Sequence, residues 1–158
     1  MKGQLLYGGL LAAGVALVDQ LTKLWAVEAL AHRTVTIVTG FFDLELVHNL
    51  GAAFGLFSSW PELWRHALLI GVAVVATAVI TRLLWQSSSR LEATTLALVL
   101  GGAIGNLIDR LRLGWVIDFI HWHWYQWSWP VFNIADSAIT VGIALLLWQQ
   151  FRRPPSTS

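Results

Sequence analysis

Four long apolar stretches divide the chain, and they cover about residues 5–27, 67–85, 93–108 and 131–148. A helix that crosses a lipid bilayer needs roughly 20 mostly apolar residues, and each stretch approaches that length. The third stretch is the shortest and contains Gly101, Gly102 and Gly105. The pattern predicts a mostly α-helical integral membrane protein: a single domain, residues 1–158, built as a bundle of four transmembrane helices.

The connection between the first and second stretches has its own pattern. T-V-T-I-V-T (34–39) alternates polar and apolar residues, and F-F-D-L-E-L-V-H (41–48) nearly does. A period of two is typical of β-strands. S-S-W-P-E-L-W-R (58–65) then indicates a capped helical turn at the membrane interface, with Ser59 as the N-cap and Glu62 three residues later. We therefore expect a small β-rich region and a short interfacial helix outside the bilayer.

Four spans place both termini on one side of the membrane, together with the short Q-S-S-S-R connection between the second and third stretches. Five basic residues lie on that side and four on the other, a small excess that favours cytoplasmic termini. Both long connections and most acidic residues then lie on the extracytoplasmic face. Residues 152–158, R-R-P-P-S-T-S, are typical of a disordered tail.

Composition supports a membrane protein and excludes several kinds of site. The chain is 56% hydrophobic and 12% charged, whereas a soluble domain is about half apolar and about a quarter charged. It has no cysteine, which excludes disulfides and a thiolate nucleophile. The formal net charge of +1 provides no strong field that would attract nucleic acid.

Polar residues within the apolar stretches are candidates for function, because a charge at membrane depth is costly unless it is paired or hydrated. Asp19 and Lys23 are four residues apart on the first helix and can pair, which favours a structural role. Asn106, Asp109 and Arg110 project together at the end of the third helix. They are either packing residues with a snorkelling arginine or part of a functional site.

Asp118 and Asp136 are 18 residues apart and flank the connection between the third and fourth stretches. Both can lie at one interface if the chain leaves the membrane and re-enters beside its exit. Two carboxyl groups within a few ångströms share a proton, because both cannot ionise comfortably. Such a pair can activate water against an amide carbonyl and protonate the leaving nitrogen. The alternative is that Asp136 only caps the fourth helix and Asp118 is an exposed loop acid.

His121 and His123 alternate with tryptophan in H-W-H-W-Y-Q-W-S-W (121–129). On a strand they would share a face, as zinc ligands do, but no third ligand is evident nearby. We expect interfacial histidines and neither a metal nor a cofactor.

Five short motifs occur in order along nearly the whole chain. They are D-Q-L-T-K (19–23), V-H-N-L-G-A-A-F-G (47–55), G-G-A-I-G-N-L-I-D-R (101–110), V-I-D-F-I (116–120) and F-N-I-A-D-S (132–137). In these motifs the chain resembles the lipoprotein signal peptidases (signal peptidase II), which are bacterial membrane aspartyl proteases. The aromatic stretch 121–129 lies outside the motifs.

The resemblance implies a catalytic dyad, a set of substrate-binding or supporting residues, and a reaction. The dyad is Asp118 and Asp136. The substrate-binding or supporting residues are Asn49, Gly51, Phe54, Asn106, Arg110 and Asn133, and Asp19 and Lys23 match a supporting pair. The reaction is removal of the signal peptide from a diacylglyceryl-modified prolipoprotein, with the cut just before the lipidated cysteine. The implied enzyme acts in the bacterial cytoplasmic (inner) membrane, near its outer face, as a monomer whose partners are this substrate and membrane lipid.

Two other functions use the same polar residues. A small transporter or proton-conducting subunit could use the acids as a relay, although a relay needs polar groups or water across the whole membrane and the acids cluster at one end. A non-enzymatic assembly factor could bind partners through the G-x-x-x-G face and the aromatic loops.

Overall fold

The computed structural model describes residues 2–51, 56–57 and 59–152. Its elements, in chain order, are α1 (Lys2–Ala29), β1 (Val35–Val38), β2 (Phe42–Asn49), α2 (Glu62–Gln86), α3 (Arg90–Leu113), β3 (Val116–Trp124), β4 (Trp127–Ser128) and α4 (Ile134–Arg152). Within the described residues, four helices are long and apolar enough to cross a membrane. The predicted four-helix architecture with a small sheet is therefore confirmed.

The helix α3 is longer than its apolar stretch because both ends are capped. Ser89 is the N-cap, and its hydroxyl accepts a hydrogen bond of 3.1 Å from the backbone N–H of Glu92. Gly114 follows the last turn with φ of 84°, in the left-handed region, and its N–H donates to the carbonyl of Arg110 at 3.1 Å. These caps satisfy backbone groups that would otherwise be unpaired at the helix ends.

The same helix lies at the centre of the bundle. In the most apolar 18-residue segment of α3, 56% of the residues are buried, whereas 22% or less are buried in the corresponding segments of the other three helices. Helix α1 approaches α3 closely because the contact positions on α3 are glycines. A Cβ at Gly101 would lie 2.6 Å from the carbonyl oxygen of Ala12 on α1, and a Cβ at Gly105 would lie 2.5 Å from Oδ2 of Asp19. A Cβ at Gly102 would overlap the backbone of Ala135 on α4. Small residues thus let α1 and α4 pack directly on the backbone of α3.

We expect Gly101→Ala to destabilise the bundle by about 1–3 kcal/mol, since the added methyl must push α1 away from α3. Gly14→Ala is the matched control, because a Cβ there meets nothing within 4 Å. It should be neutral or stabilising by up to about 1 kcal/mol, given the helix propensities of the two residues. Unfolding free energies in bicelles measure both, and equal values for the two variants would contradict the packing described.

The sheet has four antiparallel strands in the order β1-β2-β3-β4. Strands β1 and β2 confirm the two alternating segments of the sequence. The first half of strand β3 lacked such a signal, because its first four residues are all buried and both faces are enclosed there. Leu44 pairs with Ile120 and Val47 with Asp118, with an irregularity between the two pairs. The sheet thereby brings Asn49 and Asp118 to one end of the β2–β3 ladder.

The expected short interfacial helix is not a separate element. Helix α2 begins at Glu62 and continues without a break to Gln86, so W-R-H and the apolar residues belong to one helix. Pro61, not Ser59, is the N-cap, with φ of −54° and ψ of 136° and no capping side chain. Proline suits a helix start because it has no N–H to leave unpaired, and no later proline ends the helix before Gln86.

The predicted C-terminal tail begins one residue too early, because Arg152 is still part of α4. Residues 153–158, on which the rest of that prediction falls, lie outside the described residues.

Candidate active site

Asp118 is buried, with 1% of its surface exposed, although strand β3 lies outside the four spans. Two side-chain amides donate hydrogen bonds to its carboxyl group: Asn133 Nδ2 to Oδ1 at 2.6 Å and Asn49 Nδ2 to Oδ2 at 2.9 Å. It is therefore not the exposed loop acid that the spacing left as an alternative.

The environment of Asp118 changes its protonation. The pKa of its carboxyl group is raised from 3.8 to about 7: burial is the largest cause, the negative charge of Asp136 adds to the rise, and the hydrogen bonds from Asn49 and Asn133 limit it. Near neutral pH, protonated and ionised forms are both populated. Because the folded-state pKa is raised, the folded protein favours the protonated form, and this contribution to stability decreases as the pH rises from about 4 to about 7.

Asp136 lies in the first turn of α4 and has two roles. Its backbone N–H donates to Asn133 Oδ1 at 2.9 Å, and its Oδ2 accepts from the backbone N–H of Asn133 at 3.3 Å. These reciprocal bonds have the form of a capping box. Its Oδ1 accepts from Asn106 Nδ2 at 2.8 Å, so the residue that caps α4 also reaches α3. Capping and membership of a carboxyl pair are therefore compatible.

Two asparagines link the aspartates. Asn133 donates through Nδ2 to Asp118 and, at 3.2 Å, to Asn106 Oδ1, while Asn106 donates to Asp136. Both carboxyl groups line the same cavity, whose volume is about 810 Å³. Three elements contribute to this arrangement, α3, β3 and the start of α4, and both aspartates line one cavity there although no single helix carries both.

A second buried network supports the first. Lys23, which is 1% exposed, lies with its Nζ 2.8 Å from Asp19 Oδ2 and 2.7 Å from Asp109 Oδ2, and it donates to Asn106 Oδ1 at 2.9 Å. The predicted pair of Asp19 and Lys23 is present, but it is part of a triad with Asp109. One ammonium group faces two carboxyl groups, and its hydrogen bond holds the amide of Asn106 with its NH₂ directed at Asp136.

The triad also holds the backbone beside each aspartate. Asp19 Oδ1 accepts from the N–H of Ala135 at 2.9 Å, and Asp109 Oδ2 accepts from the N–H of Ile117 at 3.1 Å. Ala135 precedes Asp136 and Ile117 precedes Asp118. The acids of the triad therefore determine where α4 and β3 lie relative to α3.

Asp109 and Gln20 belong to this network, although the motifs did not place them among the site residues. Gln20 Nε2 donates to Asp109 Oδ1 at 2.9 Å and to the carbonyl of Gly105 at 3.2 Å. The sequence carried a signal for Asp109, its spacing of three from Asn106, but its partner on α1 depends on helix packing. Gln20 carried no signal except its place inside D-Q-L-T-K.

Arg110 contacts the loop after β2. Its Nη2 donates to the carbonyl of Gly51 at 3.2 Å, and the N–H of Gly51 donates to Asn49 Oδ1 at 3.0 Å. Asn49 thus joins the loop to Asp118, since its Nδ2 donates to that carboxyl group. Asn49, Gly51 and Arg110 all line the cavity. Phe54, the remaining predicted site residue, lies outside the described residues.

The cavity has both polar and apolar lining. Its apolar wall includes Trp122 on β3, Trp129, Val131 and Phe132 between β4 and α4, and Ile139 on α4. Its polar lining includes the two aspartates and two amides that hydrogen-bond to them, those of Asn49 and Asn106. A ligand that carries both an amide and long apolar chains matches this lining.

His121 and His123 lie on β3 away from this cavity. His121 contacts Glu45 at 2.9 Å and the hydroxyl of Ser128 at 2.7 Å, and His123 contacts Asp43 at 2.9 Å. Across residues 2–51, 56–57 and 59–152, no three histidine, cysteine or acidic side chains are grouped so that they could hold a metal ion.

Comparison with known proteins identifies the family. The family model described as signal peptidase (SPase) II matches residues 11–152. The chain belongs to the signal peptidase II family. The resemblance based on the five motifs is therefore confirmed, and the matched residues of this family member include all ten residues that the motifs placed in or beside the site.

Relatives with assigned names agree. The chain is 46% identical over 143 residues to the lipoprotein signal peptidase of Azoarcus sp. (strain BH72), covering 90% of this chain and 81% of the relative. It is 46% identical over 140 residues to the lipoprotein signal peptidase of Burkholderia mallei (strain SAVP1), covering 88% of this chain and 84% of the relative.

Two solved structures have the same fold. Both are described as bacterial membrane enzymes studied by the in meso method, and both are 24% identical in sequence to this family member. The first has a TM-score of 0.80, and its match covers 96% of this chain and 92% of the solved chain. The second has a TM-score of 0.75, and its match covers 94% of each chain. At this identity the two structures support the architecture of the fold.

Proposed function

We propose that this signal peptidase II family member is an aspartyl endopeptidase that removes the signal peptide from diacylglyceryl-modified prolipoproteins, cutting just before the lipidated cysteine. The observation that carries the proposal is the linkage of two carboxyl groups, buried Asp118 and partly buried Asp136, through Asn133 and Asn106 at the wall of one cavity.

The dyad works with one shared proton. Asp118, whose raised pKa favours the protonated form, acts as the acid, and Asp136 acts as the base. Asp136 accepts a proton from water as the water oxygen forms a bond to the scissile carbonyl carbon. The carbon–nitrogen bond then breaks, and the leaving nitrogen takes a proton from Asp118. The proton that Asp136 gained restores the singly protonated pair.

The cavity suits a substrate that arrives through lipid. A signal helix with two acyl chains remains in the bilayer, so it must enter the site laterally. The apolar wall receives its apolar parts, and the amides of Asn49 and Asn133 hold the carboxyl group of Asp118 in place. Because one chain supplies both aspartates and their support, the enzyme acts as a monomer with no metal or cofactor.

The proposed location follows from this substrate. The enzyme spans the bacterial cytoplasmic (inner) membrane, with its termini in the cytoplasm and its cavity near the extracytoplasmic face. The small excess of basic residues on the side of the termini supports this orientation.

A pair of matched substrates tests the proposed specificity. A prolipoprotein peptide with the diacylglyceryl group on its cysteine should be cleaved by the purified enzyme in lipid vesicles, with a new N-terminus at that cysteine identified by mass spectrometry. The same peptide without the lipid should be cleaved at least about tenfold more slowly, because burial of each acyl methylene contributes about 0.8 kcal/mol of binding. Equal cleavage of both peptides would contradict the assignment of the substrate.

We expect Asn49→Ala to shift the pH dependence of cleavage upward. The hydrogen bond from Asn49 stabilises ionised Asp118, so its loss raises the pKa of that carboxyl group above about 7. A hydrogen bond to a charged group contributes about 1.5–3 kcal/mol, which corresponds to a rise of at least about one pH unit. Because activity falls when the shared proton is lost, the alkaline limb of kcat/KM should move to higher pH by that amount.

Glu45→Gln is the control for this shift. Glu45 also lies on β2 but pairs with His121 outside the cavity. The alkaline limb of kcat/KM for Glu45→Gln should coincide with that of the unsubstituted protein. An alkaline limb that stays in place in Asn49→Ala, or moves to lower pH, would show that Asp118 does not carry the shared proton.

A further inference from the structure

The outer end of the sheet carries a group of exposed aromatic side chains that the proposed chemistry does not use. This aromatic tip consists of Phe41, Trp122, Trp124, Tyr125, Trp127 and Trp129. Trp124 is 63% exposed, Tyr125 86% and Trp127 62%. Exposed apolar groups of this size usually mark an interaction surface.

The tip is uncharged but amphipathic. Residues 122–132, W-H-W-Y-Q-W-S-W-P-V-F, contain no aspartate, glutamate, lysine or arginine. Tryptophan and tyrosine prefer the headgroup region of a bilayer, where the ring is in an apolar environment and the N–H or O–H remains hydrated. The absence of lysine and arginine gives no reason for a preference for anionic headgroups.

The tip is continuous with the membrane-spanning part of the chain. Trp122 packs edge-on against Phe132, with ring centroids 5.3 Å apart, and Phe132 lies two residues before α4. Trp122 and Trp129 also line the cavity that holds the two aspartates. Along β3 the side chains of Asp118, Ile120, Trp122 and Trp124 follow the two-residue period of a strand and so share one face of the sheet.

The other face of the same strand is polar. His121 contacts Glu45, and His123 contacts Asp43, in pairs that remain partly exposed. A strand with tryptophans on one face and hydrated polar pairs on the other fits a surface between lipid and water. It fits burial inside a protein partner less well, because these polar groups would have to be desolvated.

The turn at the end of the tip is conformationally costly. Tyr125 and Gln126 connect β3 to β4, and Tyr125 has φ of 52°, in the left-handed region that a two-residue turn usually fills with asparagine or glycine. A side chain at such a position costs about 1–2 kcal/mol. Since Tyr125 is almost fully exposed, contacts within the chain offset little of this cost.

We propose that the aromatic tip inserts into the headgroup region of the outer leaflet and binds zwitterionic phospholipid. The insertion anchors the free end of the sheet to the bilayer. Because Trp122 and Trp129 belong both to the tip and to the cavity wall, the same anchor holds the mouth of the cavity at the level of the lipid interface.

A spin label on Gln126→Cys tests the position of the tip. The chain has no cysteine, so the label is unique, and Gln126 is exposed beside the aromatic residues without being one of them. The labelled full chain is placed in phosphatidylcholine vesicles, and the accessibility of the label to oxygen and to a water-soluble nickel chelate is measured. The control is Ser88→Cys, in the exposed polar turn between α2 and α3.

We expect the nickel chelate to reach the label at position 126 at least several-fold less than the label at position 88. Adding anionic phosphatidylglycerol to the vesicles should leave this ratio unchanged. Equal accessibility at the two positions, or protection that requires the anionic lipid, would overturn the proposal.

A second variant tests whether the tryptophans cause the insertion. Trp124→Ser and Trp127→Ser together, in the Gln126→Cys background, should raise the accessibility of the label to the value found at position 88. Thermal unfolding shows whether the variant folds, and Trp127→Ser alone serves if it does not. A label that stays protected without the tryptophans would overturn the proposal.

The competing occupant is the substrate. If the label is accessible in vesicles and becomes protected only when a lipidated prolipoprotein peptide is added, the tip docks substrate and the lipid proposal is wrong. The label measurement needs no cleavage, so its result is independent of whether Asp118 and Asp136 perform the proposed chemistry.

Discussion

Asp118→Asn and Asp136→Asn should each reduce kcat for cleavage of a diacylglyceryl-modified prolipoprotein by at least about a thousandfold, within the range that positioned acids and bases contribute. Asparagine matches the shape of aspartate but neither accepts nor releases the proton. At position 118 it cannot protonate the leaving nitrogen, and at position 136 it cannot activate water. Initial rates by mass spectrometry, in vesicles at neutral pH, measure the loss.

Asp43→Asn is the matched control for these two variants. Asp43 lies on the adjacent strand β2, contacts His123 at 2.9 Å, and does not line the cavity. Its substitution should leave kcat within about twofold of the unsubstituted value, as expected for a surface change away from the site.

The peptidase and the assembly factor suggested by the sequence give different results in this experiment. A peptidase loses turnover while each variant still inserts and unfolds at a similar temperature. An assembly factor has no cleavage to lose, and a structural role for the aspartates would appear as loss of folding in both variants. Cleavage that persists in Asp118→Asn or in Asp136→Asn would refute the dyad.

Lys23→Met should destabilise the protein by about 3–5 kcal/mol, the usual cost of removing one partner from a buried ion pair. The side chain fits the same space, but Asp19 and Asp109 lose the ammonium group that lies within 2.8 Å of both. Asn106 also loses a donor at 2.9 Å, so its amide is less firmly held towards Asp136. Unfolding free energies in bicelles measure the effect.

Arg112→Gln removes a positive charge that is exposed on the adjacent helix α3, where its contact with Gln20 is long, at 3.4 Å. We expect a change within about 0.5 kcal/mol. Combining Lys23→Met with Asp109→Asn should recover part of the lost stability, because one of the two uncompensated charges is then absent. If Lys23→Met cost no more than Arg112→Gln, the triad would not hold the helices together.

The two predictions concern linked parts of one structure. Lys23 binds Asn106, Asn106 binds Asp136, and Asn133 joins both to Asp118. The triad thus holds the amide of Asn106 towards Asp136 and fixes the backbone before each aspartate. Charges buried at membrane depth are costly, and here the cost is offset because each is paired and hydrogen-bonded.

Some features of this protein were determined by the sequence alone. Four apolar stretches of membrane length predict four helices. Lipid offers no hydrogen-bond partner to the backbone, and a helix pairs its backbone groups within the same segment. The two segments with alternating polar and apolar residues form β1 and β2, because successive side chains of a strand point to opposite faces of the sheet. The five motifs identified the family, and the site residues that they implied include five polar residues that line the cavity, namely Asn49, Asn106, Arg110, Asp118 and Asp136.

Other local predictions were only partly right. The segment 58–65 has the residues of a capped turn, yet residues 62–65 form the first turn of α2, because nothing between Glu62 and Gln86 interrupts the helix. The first four residues of strand β3 had no alternating pattern, since they are buried on both faces. For β3, the neighbouring elements decided the outcome.

Only the tertiary structure decided which distant residues meet. The sequence paired Lys23 with Asp19 four residues away, but the second acid, Asp109, comes from another helix that approaches because Gly101 and Gly105 have no side chains. The same packing places Asn106 between Lys23 and Asp136, while the β2–β3 ladder brings Asn49 to Asp118. The sequence shows which residues are polar or apolar. Which of them come into contact across the bundle depends on the distances between backbones, and the joint packing of several helices and strands determines those distances.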